Sequence, residues 1–318
     1  MTPLPTAPTP DQFETPACPL CAGEASSAFI EAEDDLGGRP GRFRFRRCND
    51  CGLVHQSPRL RFEHIGAWYD EEYIAHRKKT DWGVLTPLYE WAMGKHDRDK
   101  LALVRRYQSL GPQSRVLDIG CGSGTFLAHL AQETGAEVHG VDFKDLSGLP
   151  WMRRLNFHLG TLDAQDFGDQ RFDLITLWHF LEHDYQPLKT LARARALLAP
   201  GGKLIIEVPR LDSLSFRLFK ERWPGLQAPQ HTVLFDAQGF RTMLERAGLR
   251  VTQQLPYGAF PAYFYLFCGL AFKWLRGRGL NLSRAIYPYF AGQLLLSPVL
   301  LFERQLNLAM QTAVCEAS

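Results

Sequence analysis

The stretch "VLDIGCGSGTF" (Val116–Phe126) narrows the possible folds more than any other in this chain. An apolar, strand-like run ends at Asp118. Three glycines follow at alternate positions, Gly120, Gly122 and Gly124, and "TFLAHLAQETG" then has the spacing of an amphipathic helix. Glycines at such a junction let the backbone turn tightly and approach a ligand where any Cβ would collide. The alternation continues downstream with the strands "EVHGVDF", a short one near "FHLG", "FDLITLW" and "KLIIEVP". The helix "PLKTLARARALLAPGG" precedes the last of these, and "DAQGFRTMLERAG" leads to "RVTQQL". Strands separated by helices of this length predict right-handed crossovers, hence an α/β doubly wound, seven-stranded, mostly parallel sheet covered on both faces.

The turn also says what kind of ligand to expect. A dinucleotide fingerprint needs G-x-G-x-x-G, but Thr125 stands where the third glycine should be. Asp118 adds a carboxylate at the strand end, which disfavours phosphates and favours a cationic, amino-acid-like cofactor. Asp142 closes the next strand in "GVDF", about twenty residues past the glycines, where an acid can take both hydroxyls of a ribose.

Together, D-I-G-C-G-S-G, the strand-final Asp142, "FDLITLW" and "LLAPGGKLIIEVP" resemble the class I S-adenosylmethionine-dependent methyltransferases, over roughly Leu101 to Val251. More narrowly, "CPLC", "RRCNDCGLVHQSPR", "WYDEEY", "LWHFLEH" and "PQHTVLFD" resemble a bacterial subgroup with an N-terminal zinc-binding module, some of whose members methylate sugars or natural products. The resemblance implies a Rossmann-like core with a last strand, "LAMQTAVCEA", running antiparallel. It implies that Asp118, Gly120 and Gly124 line the methionine moiety of S-adenosyl-L-methionine, with Cys121, a small residue tolerated in the turn, and Gly122 also in the cofactor site. Asp142 would bind the ribose, with Phe143 beside it in the cofactor site, Leu162 and Asp163 would frame the adenine, and Trp178 with His179 would close the site beneath the methyl group.

Cys18 and Cys21 in "CPLC", with Cys48 and Cys51 in "CNDC", form two C-x-x-C pairs. Each makes a knuckle aiming two thiolates at one ion, and two knuckles complete the S4 shell zinc prefers. The 26 residues between the pairs slightly exceed the usual ribbon spacing. With four cysteine ligands no position stays open for water, so a structural zinc is predicted. The remaining thiols, Cys268 and Cys315, read as buried. The first fourteen residues hold four prolines and no basic-then-apolar signal pattern, which predicts a flexible tail and a cytoplasmic protein. A net charge of +2 over 318 residues gives no global argument for nucleic acid. The expected organisation is a tail at 1–14, a zinc module at 15–60, a helical connector at 61–110 with a helix over Pro87–Leu110, the methyltransferase core at 111–258, a hydrophobic helical insert at 259–305 and a final core strand at 306–318.

"HFLEH" (179–183) fits the H-x-x-E-H pattern of a metallopeptidase class. That chemistry needs one continuous helix, and Asp184, Tyr185 and Pro187 break the run, so the peptidase reading is rejected. His179 and His183 remain candidate general bases beside the pocket. So does His231, whose neighbours Trp223, Pro224 and Pro229 give its loop the composition of a lid; Glu207 is a weaker candidate. Trp68, Tyr69 and Tyr73 either wall a substrate pocket or pack the connector onto the core.

In the insert, Ala259–Phe272 and Ala285–Phe302 carry no charge, and "KWLRGRGLNLSR" between them is basic. Three placements stay open: a hairpin buried on the protein or in a homodimer, one lying at the inner-membrane interface, or a true span. The leading function is methyl transfer to a small molecule of sugar, lipid-linked or natural-product type. The alternatives are a nucleic-acid methyltransferase using Arg39, Arg42, Arg44, Arg46 and Arg47, or a membrane-docked scaffold without catalysis. On a strand, Arg–Phe alternation puts rings on one face and charges on the other, which favours a solvated outer face over a nucleic-acid surface.

Overall fold

A computed structural model describes residues 7–69, 86–280, 282–300, 302 and 305–318 of the protein. Tyr73, the first six residues of the tail and residues 70–85 of the connector lie outside them.

The N-terminal module pairs β1 (Phe13–Glu14) with a later strand, β5 (Arg59–Leu60), and folds β2 (Ser26–Ala32), β3 (Phe43–Cys48) and β4 (Val54–Gln56) as an antiparallel meander. Alternation in β3 buries Phe43 and Phe45 and turns Arg44 outward. The arginines are engaged locally. Arg44 pairs with Glu31, Arg46 bonds Ser26, Arg47 donates to the Gly52 carbonyl, and buried Arg39 donates to that of Ala67. After the short α1 (Phe62–Ile65), α2 (Thr86–Val104) ends six residues before the expected stop at Leu110, its last amides passing into turns.

The core then runs β6 (Arg115–Ile119), α3 (Thr125–Thr134), β7 (Glu137–Asp142), β8 (Asn156–Leu159), β9 (Phe172–Trp178), α4 (Pro187–Leu197) and β10 (Leu198–Pro209), with only short 3-10 turns, not α-helices, joining β7 to β8 and β8 to β9. Next come α5 (Leu214–Phe219), β11 (Val233–Leu234), α6 (Ala237–Arg246), β12 (Leu249–Leu255), α7 (Ala262–Leu275), α8 (Leu282–Leu300) and β13 (Met310–Ala317). The seven-stranded sheet has the order β12-β13-β10-β9-β6-β7-β8. All its pairings are parallel except those of β13, which lies antiparallel between β10 and β12. The order in which the parallel strands are laid down reverses between β6 and β9, and that switch opens a crevice at the strands' carboxyl ends. The central strands are buried on both faces, as their near-continuous Val, Ile and Leu content requires.

Two features join the parts. β11, from the core's second half, adds to β4 and becomes the fourth strand of the module's sheet. The insert is tied to the core by Glu207 at the end of β10, which accepts the amides of Ala259 (2.6 Å) and Phe260 (2.9 Å) just before α7. The two insert helices pack closely: a Cβ at Gly292 would fall 2.1 Å from the Tyr263 hydroxyl. Among the described residues, no helix is long and apolar enough to cross a membrane.

Candidate active site and cysteine cluster

The crevice opens into a cavity of about 840 Å³ with two chemically distinct ends. One end is acidic. The glycine turn is pinned by the Gly120 and Cys121 amides donating to the Val141 carbonyl, and Gly120, Gly122 and Gly124 all have positive φ. Asp142, 5 % exposed, accepts the Gly122 amide on Oδ2 and the Lys144 amide on Oδ1, both at 2.9 Å. Asp118 accepts the Thr176 hydroxyl at 2.6 Å; burial pushes its carboxyl up to about 7, with Asp142 and Asp97 adding to the effect and Lys100 opposing it. The Trp178 indole N–H lies buried in the wall with no partner, an orphan donor of the kind a ligand satisfies. Its ring meets Phe126 edge-on, and the Lys100 ammonium sits 5.4 Å from both rings.

Asp118, Gly120, Cys121, Gly122, Asp142, Phe143, Leu162, Asp163 and Trp178 all line this cavity. Gly124 does not. A Cβ there would fall 2.5 Å from Met152 Sδ, so internal packing and a φ of +73° demand the glycine, rather than ligand approach. Gly120 answers to both, since a Cβ would strike Phe180 at 2.3 Å. Asp163 also forms a 2.9 Å ion pair with Lys189.

The other end is aromatic. Phe260, Phe264 and Tyr289 from the insert line it with Tyr69, whose ring meets Phe143 edge-on. Trp68 instead packs against Phe43. His179, at a φ of +55°, donates its backbone amide to the Glu207 carbonyl and sits between two acids, with Nε2 3.0 Å from Glu207 Oε1 and Nδ1 3.4 Å from Glu182 Oε1. Burial alone would lower its pKa, but the flanking Glu182 and Glu207 carboxylates override this and lift it to about 9. Burial would likewise raise Glu207, yet His179 and the two insert amides hold it down to about 2. His179 is thus a cation at neutral pH, and Glu207 is its fixed counter-charge. His183 and His231 stand edge-to-face with ring centroids 4.4 Å apart, and burial lowers the pKa of His231. The His231 segment is no lid: Trp223, Ala228, Gln230 and His231 are all interior. Its prolines shape a buried loop instead.

Sequence reasoning missed Asp97 and Lys100 on α2, which line the acidic end, and the insert's ring wall. "KHDRDK" reads as a solvated helix face, and only the approach of α2 to α3 turns it inward.

At the N-terminus, Cys18 Sγ lies 3.5 Å from Cys51 Sγ, and Cys21 Sγ 3.5 Å from Cys48 Sγ. A tetrahedron with metal–sulfur bonds of about 2.3 Å has sulfur–sulfur edges of about 3.8 Å, so the four thiols already stand near zinc geometry. Each knuckle is closed by backbone bonds, Ala22 to Cys18 and Gly52 to Cys48.

The methyltransferase domain model matches residues 93–254, half of the chain. The chain belongs to that methyltransferase family. The fold expected from the glycine turn is the fold it has. Among curated relatives, a ubiquinone biosynthesis O-methyltransferase of Nitrosococcus oceani is 33% identical over 144 residues, covering 42% of this chain and 57% of that protein. One from Coxiella burnetii is 34% identical over 96 residues, or 28% of this chain and 41% of that protein. The chain therefore spans about half the length of the curated relatives it matches. Among solved structures, phosphoethanolamine N-methyltransferase 2 of Haemonchus contortus, in complex with S-adenosyl-L-methionine, aligns at a TM-score of 0.50 and 17% identity, over 83% of this chain and 62% of that one.

Proposed function

We propose that this methyltransferase moves the methyl group of S-adenosylmethionine onto a small, largely apolar acceptor. The observation that carries the reading is one continuous cavity with an acidic, glycine-floored end and a ring-lined end. The acidic end suits a donor with an ammonium and a sulfonium. Asp142 would take the ribose hydroxyls, Asp118 and the Gly120–Gly122 backbone the amino-acid portion, and the Trp178 N–H a ligand acceptor atom. The bound donor supplies a carbon already activated for displacement. The protein's own part is to hold the acceptor in line at about 3–3.5 Å and to keep water out. His179 is a positioning residue, since an imidazolium locked between two acids takes no further proton. His183 and His231 are the groups left to receive a proton.

The Cys18–Cys21–Cys48–Cys51 cluster would hold a structural zinc, every ligand being a thiolate. We also propose that the insert lies against a membrane surface, as a route for lipophilic acceptors. Trp274, Leu294 and Leu295 are 89%, 78% and 79% exposed, and Lys273, Arg276 and Arg278 stand nearby in the chain to meet anionic headgroups. The arginines of β3 are spent on local partners, so a nucleic-acid substrate gains nothing here. Calorimetry of S-adenosylmethionine binding tests the main reading. Asp142→Ala is expected to weaken binding at least tenfold, and equal affinity in variant and wild type refutes the ribose assignment.

A further inference from the structure

Among the described residues four histidines line the cavity, and His96 is the one that α2 contributes. Ala92, Met93, His96, Asp97 and Lys100 all line it, a spacing that turns one stripe of the helix inward. Lys100, one turn after His96, sits over the Trp178 ring at the acidic end. His96 itself meets Phe260 edge-on at 5.4 Å, at the ring-lined end. It therefore stands where the two ends join.

The insert fixes the tautomer of this ring. His96 Nδ1 lies 3.3 Å from the Ala259 carbonyl oxygen, and the amide of the same residue is held by Glu207. A carbonyl only accepts, so Nδ1 carries the hydrogen and Nε2 keeps the lone pair. Nε2 has no partner among the described residues, and it is not sealed away from the cavity that the ring lines. Burial pushes the pKa of His96 down to about 3; Lys100 and the His179 cation add to this, while Glu207 and the Ala259 carbonyl oppose it. The ring is thus neutral across the physiological range. It can accept a hydrogen bond, but it does not keep a proton.

We propose that His96 Nε2 selects the acceptor molecule by taking a hydrogen bond from a hydroxyl or N–H group carried on an apolar or aromatic frame. The inference rests on the reading of the ring-lined end as the acceptor's place. A lone pair set in a wall of rings discriminates against ligands that leave it unmet. A molecule with a donor group satisfies it, whereas one of the same shape with a methyl group there leaves a desolvated acceptor unpaired. His96 is accordingly a specificity-determining residue and not the group that removes the acceptor's proton.

The test uses full-length protein and three probes of one shape. These are p-cresol, p-toluidine and p-xylene, which place a hydroxyl, an amine or a methyl group on the same ring. Binding is read by calorimetry and by 15N spectra of histidine-labelled protein. The better of p-cresol and p-toluidine should bind about fivefold tighter than p-xylene or more, and should move an Nε2 resonance that is missing from His96→Gln. Which of the two leads tells hydroxyl from N–H. His96→Phe keeps a ring beside Phe260 without a lone pair and should bind all three probes alike. His96→Gln, whose amide oxygen accepts, should recover part of the preference. Wild type that binds the three alike, or a folded His96→Phe that keeps the preference, overturns the proposal. Should His96→Phe fail to fold, the wild-type spectrum decides, and an Nε2 resonance that no probe moves overturns it equally. S-adenosylmethionine affinity measured on the same samples separates the two readings. Wild type that binds the donor but shows no probe preference refutes the His96 contact alone; one that shows the preference without binding the donor upholds the contact and refutes the donor assignment.

Discussion

Asp118 offers a quantitative check on the acidic end of the cavity. Burial, Asp142 and Asp97 raise its carboxyl to about 7, so near neutrality the empty site holds a proton on it about half the time. A cationic donor favours the ionised form, and the proton must leave for binding to be strong. The sign follows: affinity is full well above pH 7 and is lost as pH falls through it. If the bound form stays ionised, one proton must be displaced per donor below the free-site pKa. The dissociation constant should then rise about fivefold from pH 7 to 6 and about tenfold more from 6 to 5. Calorimetry in two buffers of different ionisation enthalpy reads both the affinity and the proton released. Asp118→Asn should bind weakly at all three pH values with almost no slope. An affinity flat from pH 7 to 5 in the wild type, or the same slope in the variant, refutes the placement of Asp118 against the donor's positive charge.

Glu207→Gln removes one partner of a buried ion pair and weakens the anchor of the insert; urea melts should show a loss of about 3–5 kcal/mol, and a loss under about 1 kcal/mol would contradict the anchoring role. Cys48→Ser should bring zinc measured by atomic emission well below one per chain and lower the thermal transition of the whole protein, because β4 and β11 share a sheet; an unchanged transition counts against the metal. Leu294→Ser combined with Leu295→Ser should reduce flotation with anionic vesicles at an unchanged melting temperature. Equal flotation of both proteins removes those residues from the membrane contact.

Much of the core was legible because its signals are local and repeated: apolar runs of strand length, helices between them, one glycine turn and a strand-final acid. The antiparallel β13 was legible only through the family resemblance. What stayed hidden depends on contacts distant in sequence. Val233–Leu234 is too short to announce a strand, and only β4 gives it one. Proline and tryptophan around His231 read as a mobile cover, whereas the segment is enclosed because the module packs over it and Gln56 bonds the His231 carbonyl. The insert's apolarity was plain, yet its division of labour was not, since rings facing the cavity and leucines facing outward look alike in a string of letters. Glu182 was visible in "HFLEH", but its burial against His179 is a property of the fold alone.

The pairing of Val233 with His55 also sets an order of events during synthesis. At roughly 5–20 residues per second, the strand that closes the cysteine module emerges on the order of ten seconds or more after the module's own residues. Until then the edge of β4 is an open row of amides and carbonyls, exposed to any other nascent chain. A metal taken up by the four cysteines would hold the knuckles during that wait, but only the methyltransferase half, once made, seals the edge.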